Sequence, residues 1–382
     1  MIGYLLLHRL ESKVIEKIVE VILHKLSSSF PSITDDLVGI DSSVEELITS
    51  YLGLGNNVGM IGICGMAGLG KTTLARVVYD KFSNEFEVSS FIANVREVSK
   101  KHGLGRLQKQ LLAEILEERN INIWNDYDGV KMIKNRLRHK KVLLVLDDVD
   151  NLYQLNRLAG KHDWFGLGSW IIITTTGEHL LHQHGVDKIY KLGALNGHDA
   201  LKLFCLKAFK NEQPKEGYVE LSKTILHYAK GLPLALVTLG SFLVGRTIDE
   251  WQSALVSFKK VPKREIFDIL KVSFDGLEEM WKEIFLDIAC FFSGKMKDHV
   301  IKILEKCGFD ATIGIRVLID NSLLTIEKEN LWMHSLLQDM GREIVRQDPR
   351  KCSRLWEHED LSHVLSKHTV RSMAKVEFYF SE

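Results

Sequence analysis

Between residues 58 and 192, short apolar runs alternate with longer amphipathic ones. The apolar runs are "VGMIGIC" (58–64), "SSFIANV" (89–95), "KVLLVLDDV" (141–149), "SWIIITTT" (169–176) and "KIYKL" (188–192). Helical spacing fills the gaps at 71–82, 105–119, 129–139 and 151–159. This alternation predicts a parallel sheet with helices on both faces. Strands covered on both sides read as unbroken apolar runs, and "VLLVL" and "WIIIT" do. Past about residue 195 the strand runs stop, and 197–210, 217–230 and 233–244 read as helices. "GLP" (231–233) separates the last two, because proline cannot continue a helix that precedes it. A third unit spans about 264–346, with helical patterns at 264–275, 279–292, 297–306 and 312–322. "LLTIEKENLWMH" follows, two short apolar runs around a charged turn at 327–330, and then a helix at 335–346. Several helices with one small hairpin is the pattern of a winged helix. Upstream, "ESKVIEKIVEVILHKL" (11–26) is an amphipathic helix by its spacing, and "SSSFPS" after it reads as a linker. The end, 350–382, is polar and less regular.

The chemistry sits at the strand ends. "CGMAGLGKTT" (64–73) contains Gly65-x4-Gly70-Lys71-Thr72, between a predicted strand and a predicted helix, which is the context a phosphate loop requires. Gly65, Gly68 and Gly70 permit the tight turn and let backbone N–H groups approach phosphate oxygens. The helix starting near Lys71 presents its positive end and free N–H groups to an anion. Lys71 is expected on the β- and γ-phosphates, Thr72 on Mg²⁺, and Thr73 in the same loop. "KVLLVLDDVD" ends its strand in Asp147 and Asp148, where ligands of open α/β sheets bind. Asp147 is the expected Mg²⁺ carboxylate, and Asp148 can position a water as the catalytic group. "IIITTT" brings Thr174, Thr175 and Thr176 to a third strand end, a place for a γ-phosphate sensor or simply for β-branched filling.

Composition narrows the classes. The chain has 382 residues, room for about two to four units at roughly 100–200 residues each. Lys and Arg total 50 and Asp and Glu total 50, so no global field draws it to nucleic acid or anionic lipid. Five cysteines, Cys64, Cys205, Cys290, Cys307 and Cys352, are spread without a C-x-x-C pair. That argues against a disulfide framework or zinc site and fits a reducing compartment. "HQH" (182–184) has no metal-ligand partners at useful spacing. The opening "MIGYLLLHRLES" has no cleavage site, and no later run approaches the length of a membrane span. A cytoplasmic location, extending to the nucleus, is the expectation.

In their order, these motifs resemble the NB-ARC module of plant disease-resistance proteins. The resemblance is closest to the branch with a TIR domain in front and leucine-rich repeats behind. The matching blocks are "LVGIDSSVEEL" (37–47), "GMAGLGKTTLARVVYDKF", "FIANVREVS" (91–99), "KKVLLVLDDVDNLYQLNRLAG" and "DWFGLGSWIIITTTGEHLL". "KGLPLAL" (230–236), "FLDIACFF" (285–292) and "LWMHSLLQDMGREIVRQ" (331–347) complete them. The resemblance implies a P-loop NTPase domain of α/β class over 31–194, its parallel sheet flanked by helices on both faces. A helical ARC1 unit over 195–262 and a winged-helix ARC2 unit over 263–348 follow it. Residues 1–30 are then a linker helix and 349–382 a tail. The resemblance also implies ADP at rest, ATP when active, and Mg²⁺. It sets Val38 and Gly39 at the adenine, Pro233 where the helical unit meets the nucleotide, and His334 at the β-phosphate of ADP.

Three positions depart from that pattern. Ser335 follows Met333-His334 where the family has Asp, which removes a carboxylate from the resting lock. Thr176 stands where the family has Arg, which removes a phosphate contact. Ala67 replaces a glycine with little expected effect. Residues 1–26 resemble only the end of the missing front domain, and no leucine-rich repeat is recognisable after 368, so the chain resembles a truncated member. A switch in plant innate immunity is the leading function, with at most slow ATP hydrolysis and no NAD cleavage. The alternatives are a turnover ATPase of the AAA-like or STAND class and a winged-helix regulator on nucleic acid. No residue stands out as an arginine finger. The candidate reading helix (311–324) offers only Arg316 as a cation, so no nucleic acid partner is expected. Protein partners or self-association through the first helix and the NB-ARC module are the remaining expectation.

Overall fold

The computed structural model describes residues 37–49, 57–116, 121–260 and 263–347. The helix expected at 11–26, the linker after it, the tail and Cys352 lie outside the described residues. All elements below belong to one compact unit beginning at Val38.

Helix α1 (Ile40–Leu47) leads into strand β1 (Gly59–Cys64), the phosphate loop and helix α2 (Lys71–Phe82). Strand β2 (Val88–Ile92), helices α3 (Val95–His102), α4 (Leu104–Leu116) and α5 (Asp126–Leu137) follow. Strand β3 (Val142–Leu146), helix α6 (Leu152–Leu158), strand β4 (Trp170–Thr175), helix α7 (Glu178–His184) and strand β5 (Lys188–Lys191) complete this part. The sheet order is β2-β3-β4-β1-β5, with every pairing parallel. All five residues of β3 are fully buried, as their unbroken apolar run requires. The order sets the carboxyl ends of β3, β4 and β1 side by side. Leu146 pairs with Ile173, so the next residues, Asp147 and Thr174, stand together.

Helices α8 (Gly197–Phe209), α9 (Val219–Ala229), α10 (Pro233–Leu243) and α11 (Ile248–Lys260) form the next part. Its centre is Trp251, whose ring stacks on Phe209 and meets Phe204 and Tyr218 edge-on. The indole N–H donates to the Leu243 carbonyl at 3.1 Å, so burial leaves no polar atom unmet.

Helices α12 (Arg264–Asp275), α13 (Glu279–Asp287), α14 (Lys297–Lys306) and α15 (Ala311–Asp320) precede the antiparallel strands β6 (Thr325–Glu327) and β7 (Asn330–Trp332). Helix α16 (Ser335–Gln347) closes the winged-helix arrangement. The hairpin turns through Lys328 and Glu329, at φ 48° and 68°, the backbone of a two-residue turn whose twist matches the strands.

Three expectations need correction. The strand expected over 89–95 stops at Ile92, and Val95 instead starts α3. The helix expected over 279–292 widens after Asp287 into a π turn, Ile288–Phe292, closed by Ser293 N–H on the Ile288 carbonyl at 3.0 Å. Widening buries Ile288, Ala289, Cys290 and Phe292, more sides than one α-helical face can hide. Helices α1, α3, α7 and α11 form where the periodicity predicts none. The described cysteines, Cys64, Cys205, Cys290 and Cys307, form no disulfide.

Trp251→Ala removes the largest fully buried side chain of the helical part. We expect a loss of about 3–5 kcal/mol in urea unfolding. A loss under about 1 kcal/mol, the size of an ordinary surface effect, would show that the ring cluster is not a core.

Candidate functional site

The phosphate loop lies where two hydrophobic cores meet. One core belongs to the sheet, with Met60, Leu144, Leu146 and Ile173 at its centre. The other runs from Ala200 to Val345 through the helical and winged-helix parts. Loop residues Met66, Ala67 and Leu69 pack on the second core, together with Val38, Leu195 and Leu234. The loop is therefore gripped from the far side by elements more than a hundred residues downstream.

Gly70 caps α2, and Lys71 is its first residue. The Lys71 ammonium donates to the carbonyls of Gly65 at 2.8 Å and Met66 at 3.0 Å. Burial pushes this ammonium down to about 8, while Asp148 and then Asp147 oppose the shift. Thr72 Oγ1 donates to Asp147 Oδ1 at 2.7 Å. Thr174 Oγ1 donates to the same oxygen at 2.7 Å and accepts from the Asp148 N–H at 2.8 Å. A hydroxyl and a carboxylate brought together in this way are hard oxygen donors suited to Mg²⁺, which takes one or two protein oxygens plus phosphates and waters.

The expected roles of the third strand end divide. Thr174 joins the Asp147 network. Thr175, expected at the nucleotide, is buried and its Oγ1 accepts from Gly177 N–H at 3.0 Å. Thr176 offers its carbonyl to Ser322 Oγ of the winged helix at 3.1 Å. A cleft of about 390 Å³ runs along this seam, lined by Thr175, Thr176 and Gly177 on one side and Asp320 and Asn321 on the other.

Asp148 is not an isolated water-positioning group. Its carboxylate pairs with Arg96 Nη2 at 2.8 Å. Burial raises its carboxyl above the ordinary range, and Arg96 works against that rise. Arg96 was not singled out from sequence. The signal was present in "FIANVREVS", since any residue just past β2 must lie beside the end of β3.

The remaining candidates come from the helical and winged-helix parts. Gly39 (φ 74°) begins α1, and a Cβ there would fall 2.9 Å from Leu195 Cδ2 and from Asp199 Oδ2. Val38 and Gly39 thus abut the start of α8. Pro233 is the first residue of α10, and the next N–H, that of Leu234, donates to the Gly68 carbonyl at 3.2 Å. Gly68 (φ 84°) has no room for a side chain there, since a Cβ would sit 2.9 Å from Leu234 Cβ. His334 is half-buried against the end of α9. Its Nδ1 accepts from Leu336 N–H at 3.2 Å. The Ala229 and Lys230 carbonyls lie beside the ring, and Nε2 is buried without completing a hydrogen bond among the described residues. Burial, then the charge of Lys230, pushes the imidazole down to about 4, so it is neutral at pH 7. Ser335 Oγ donates to the Tyr228 carbonyl at 3.0 Å. One turn on, Asp339 meets the Tyr228 hydroxyl, and burial raises its carboxyl. Among the described residues no hydrogen bond joins His334 to the phosphate loop; the link runs through 230–234. In the reading helix, Arg316 is tied to Asp320 at 3.0 Å.

A parallel sheet with a phosphate loop after β1 and paired aspartates after β3, followed by a winged helix, defines a nucleotide-binding P-loop NTPase. The NB-ARC domain matches residues 40–214, and the winged-helix domain of Roq1-like disease resistance proteins matches 278–349. The disease resistance protein RPV1 of Vitis rotundifolia is 44% identical over 368 residues, covering 95% of this chain and 26% of that protein. The TMV resistance protein N of Nicotiana glutinosa is 44% identical over 366 residues, covering 93% of this chain and 32% of that protein. The chain thus carries an NB-ARC domain and a Roq1-like winged-helix domain, and these relatives are plant disease-resistance proteins. It spans about a quarter to a third of the length of these curated relatives. A Walker-type ATPase of Pyrococcus abyssi shares the fold, with a TM-score of 0.52 at 12% identity, over 79% of this chain and 94% of that one. No helix among the described residues is long and apolar enough to cross a membrane.

The Lys71 shift sets a pH dependence. The unliganded Lys71 loses its proton as pH rises through about 8, well below its ordinary 10.5. A phosphate anion favours the charged form and restores the proton. Nucleotide binding at pH 8.5 should take up part of a proton, and affinity should fall as pH rises above about 8. Calorimetry in two buffers of different ionisation heat measures the uptake. Lys71→Arg, which does not titrate there, should abolish it, and equal heats in both buffers for the wild type would refute the shift.

Proposed function

We propose that the chain is an ADP/ATP switch in plant innate immunity, resting with ADP and active with ATP. The phosphate-loop part (31–194), the helical part (195–262) and the winged helix (263–348) act as its three bodies. Lys71 and the loop amides of Gly65, Gly68, Gly70, Thr72 and Thr73 hold the phosphates. Thr72 and Asp147 hold Mg²⁺, which screens phosphate charge. Val38, Gly39 and Pro233 enclose the base and ribose. His334 answers for the diphosphate state, and Asp148 positions water in slow hydrolysis.

The observation that carries this reading is a continuous link from the phosphate loop to the winged helix. Gly68 accepts from Leu234, the 230–234 segment runs back to Lys230, and His334 lies on the Lys230 and Ala229 carbonyls. The His334 Nε2, buried and lacking a hydrogen-bond partner, is a donor suited to an anionic oxygen. A ligand shifts an equilibrium only through contacts that differ between states. Groups from distant bodies on one small nucleotide are the means of making such differences.

Purified protein should carry ADP that leaves slowly, and Lys71→Ala should lose it. Nucleotide retained by that variant would place the phosphates elsewhere. Steady hydrolysis at or above about one per second, the low end of ordinary enzymes, would favour a turnover ATPase instead.

A further inference from the structure

The phosphate-loop and paired-aspartate motifs account for Lys71, Thr72, Asp147 and Asp148, but not for the guanidinium that the fold sets beside them. Arg96 is the second residue of α3, and it is fixed twice. Its N–H donates to the Asp148 carbonyl at 3.1 Å, and its Nη2 lies 2.8 Å from Asp148 Oδ2. The preceding Val95 N–H donates to the Asp147 carbonyl at 2.9 Å. Asp148 is held at φ 58°, an uncommon backbone for a residue with a Cβ. Strained turns tied down from several sides concentrate at functional sites.

The charges indicate what this pair can do. Arg96, Asp147 and Asp148 all lie close enough to act on the Lys71 ammonium. Two cations and two carboxylates balance. Any further phosphoryl group entering beside Asp148 meets a like charge there and an opposite charge on Arg96. The side chains of Arg96 and Asp148 keep 19% and 28% of their surface exposed, so solvent, and with it an anion, can reach the pair. A guanidinium carries five donors in a planar fork that fits phosphate oxygens two at a time.

We propose that Arg96 reads the terminal phosphate of a nucleoside triphosphate, as the counterpart of His334 for the diphosphate. Its guanidinium exchanges the Asp148 carboxylate for the terminal phosphate, and α3 moves with it. With a diphosphate, Arg96 stays on Asp148. This inference rests on the reading of the phosphate loop as an adenine-nucleotide site.

Equilibrium binding with Mg²⁺ tests it, using ADP and the non-hydrolysable triphosphate with a β,γ-imido bridge. Arg96→Gln should raise the ratio of triphosphate Kd to ADP Kd by roughly tenfold to a hundredfold, the loss of a charge-assisted contact. Asp148→Asn should lower that ratio, because it releases the guanidinium. Arg96→Lys should recover only part of the wild-type ratio, since an ammonium keeps the charge and loses the fork. A merely structural Arg96 would weaken both nucleotides together. Equal shifts, or none, overturn the proposal and leave the nucleotide site standing. A wild-type chain that binds neither nucleotide overturns both readings. Thermal unfolding without nucleotide identifies a misfolded Arg96→Gln, and Arg96→Lys then decides: an unchanged ratio overturns the proposal.

Discussion

Asp147 is a carboxylate with 1% of its surface exposed, at the end of a strand inside an apolar sheet. A buried charge persists only if its oxygens are met by donors. Thr72 and Thr174 supply them, both on Oδ1. One donor comes from the first turn of α2 and the other from the end of β4. A single carboxylate therefore fixes the phosphate-loop helix, β3 and β4 to a common origin. Pinning Thr72 also fixes where the Lys71 side chain starts. Thr174 passes the restraint to the Asp148 amide, and Asp148 passes it to Arg96. Removing one of the two hydroxyls leaves the buried carboxylate short of a donor, at about 1–3 kcal/mol.

The second constraint is apolar. The loop's own Met66, Ala67 and Leu69 pack on a core that the sheet does not share. Phosphate-loop geometry and the docking of α10 are thus one problem, and the contact of Gly68 with Leu234 is where it is solved. A side chain larger than hydrogen at Gly68 cannot fit unless α10 retreats. The nucleotide site and the position of the helical part are coupled before any ligand is considered.

What the sequence made legible follows from range. The strands β3 and β4 and the helix α12 were readable because burial on two faces, or on one helical face, leaves a local pattern. Lys71, Thr72 and Asp147 were readable because their chemistry is carried by contiguous residues. Helix α3 was hidden because "VREVSKKH" buries only Val95 and so has no periodicity. Helix α11 was legible in principle, as Trp251, Leu255 and Phe258 share a face, but no strand flanks it to mark a boundary. That Thr174 rather than Thr175 meets Asp147 was not readable. Adjacent strand residues point to opposite faces, and only the register with Asp147 chooses between them. Arg96 and the bed of His334 required knowing which strand ends and helix ends are neighbours.

The winged helix is held at two edges of the site by hydroxyl-to-carbonyl bonds, Ser322 on Thr176 and Ser335 on Tyr228. Neutral bonds of this kind contribute about 0.5–1.5 kcal/mol each. They are also insensitive to salt, unlike an ion pair at the same place. Moving a two-state equilibrium from one side to the other needs about 5.5 kcal/mol of differential binding. Two such ties are small against that figure, so these bonds alone do not lock the winged helix, which also shares a core with the helical part. The carboxylate absent at 335 has a counterpart one turn away in Asp339, which is half-buried with Tyr228 and feels Arg342, Arg346 and Lys230. Its charge acts within the seam between α9 and α16 rather than at the phosphate loop. Among the described residues, the ties of the winged helix and the polar groups around the phosphate loop are different residues, and the 230–234 segment runs between them.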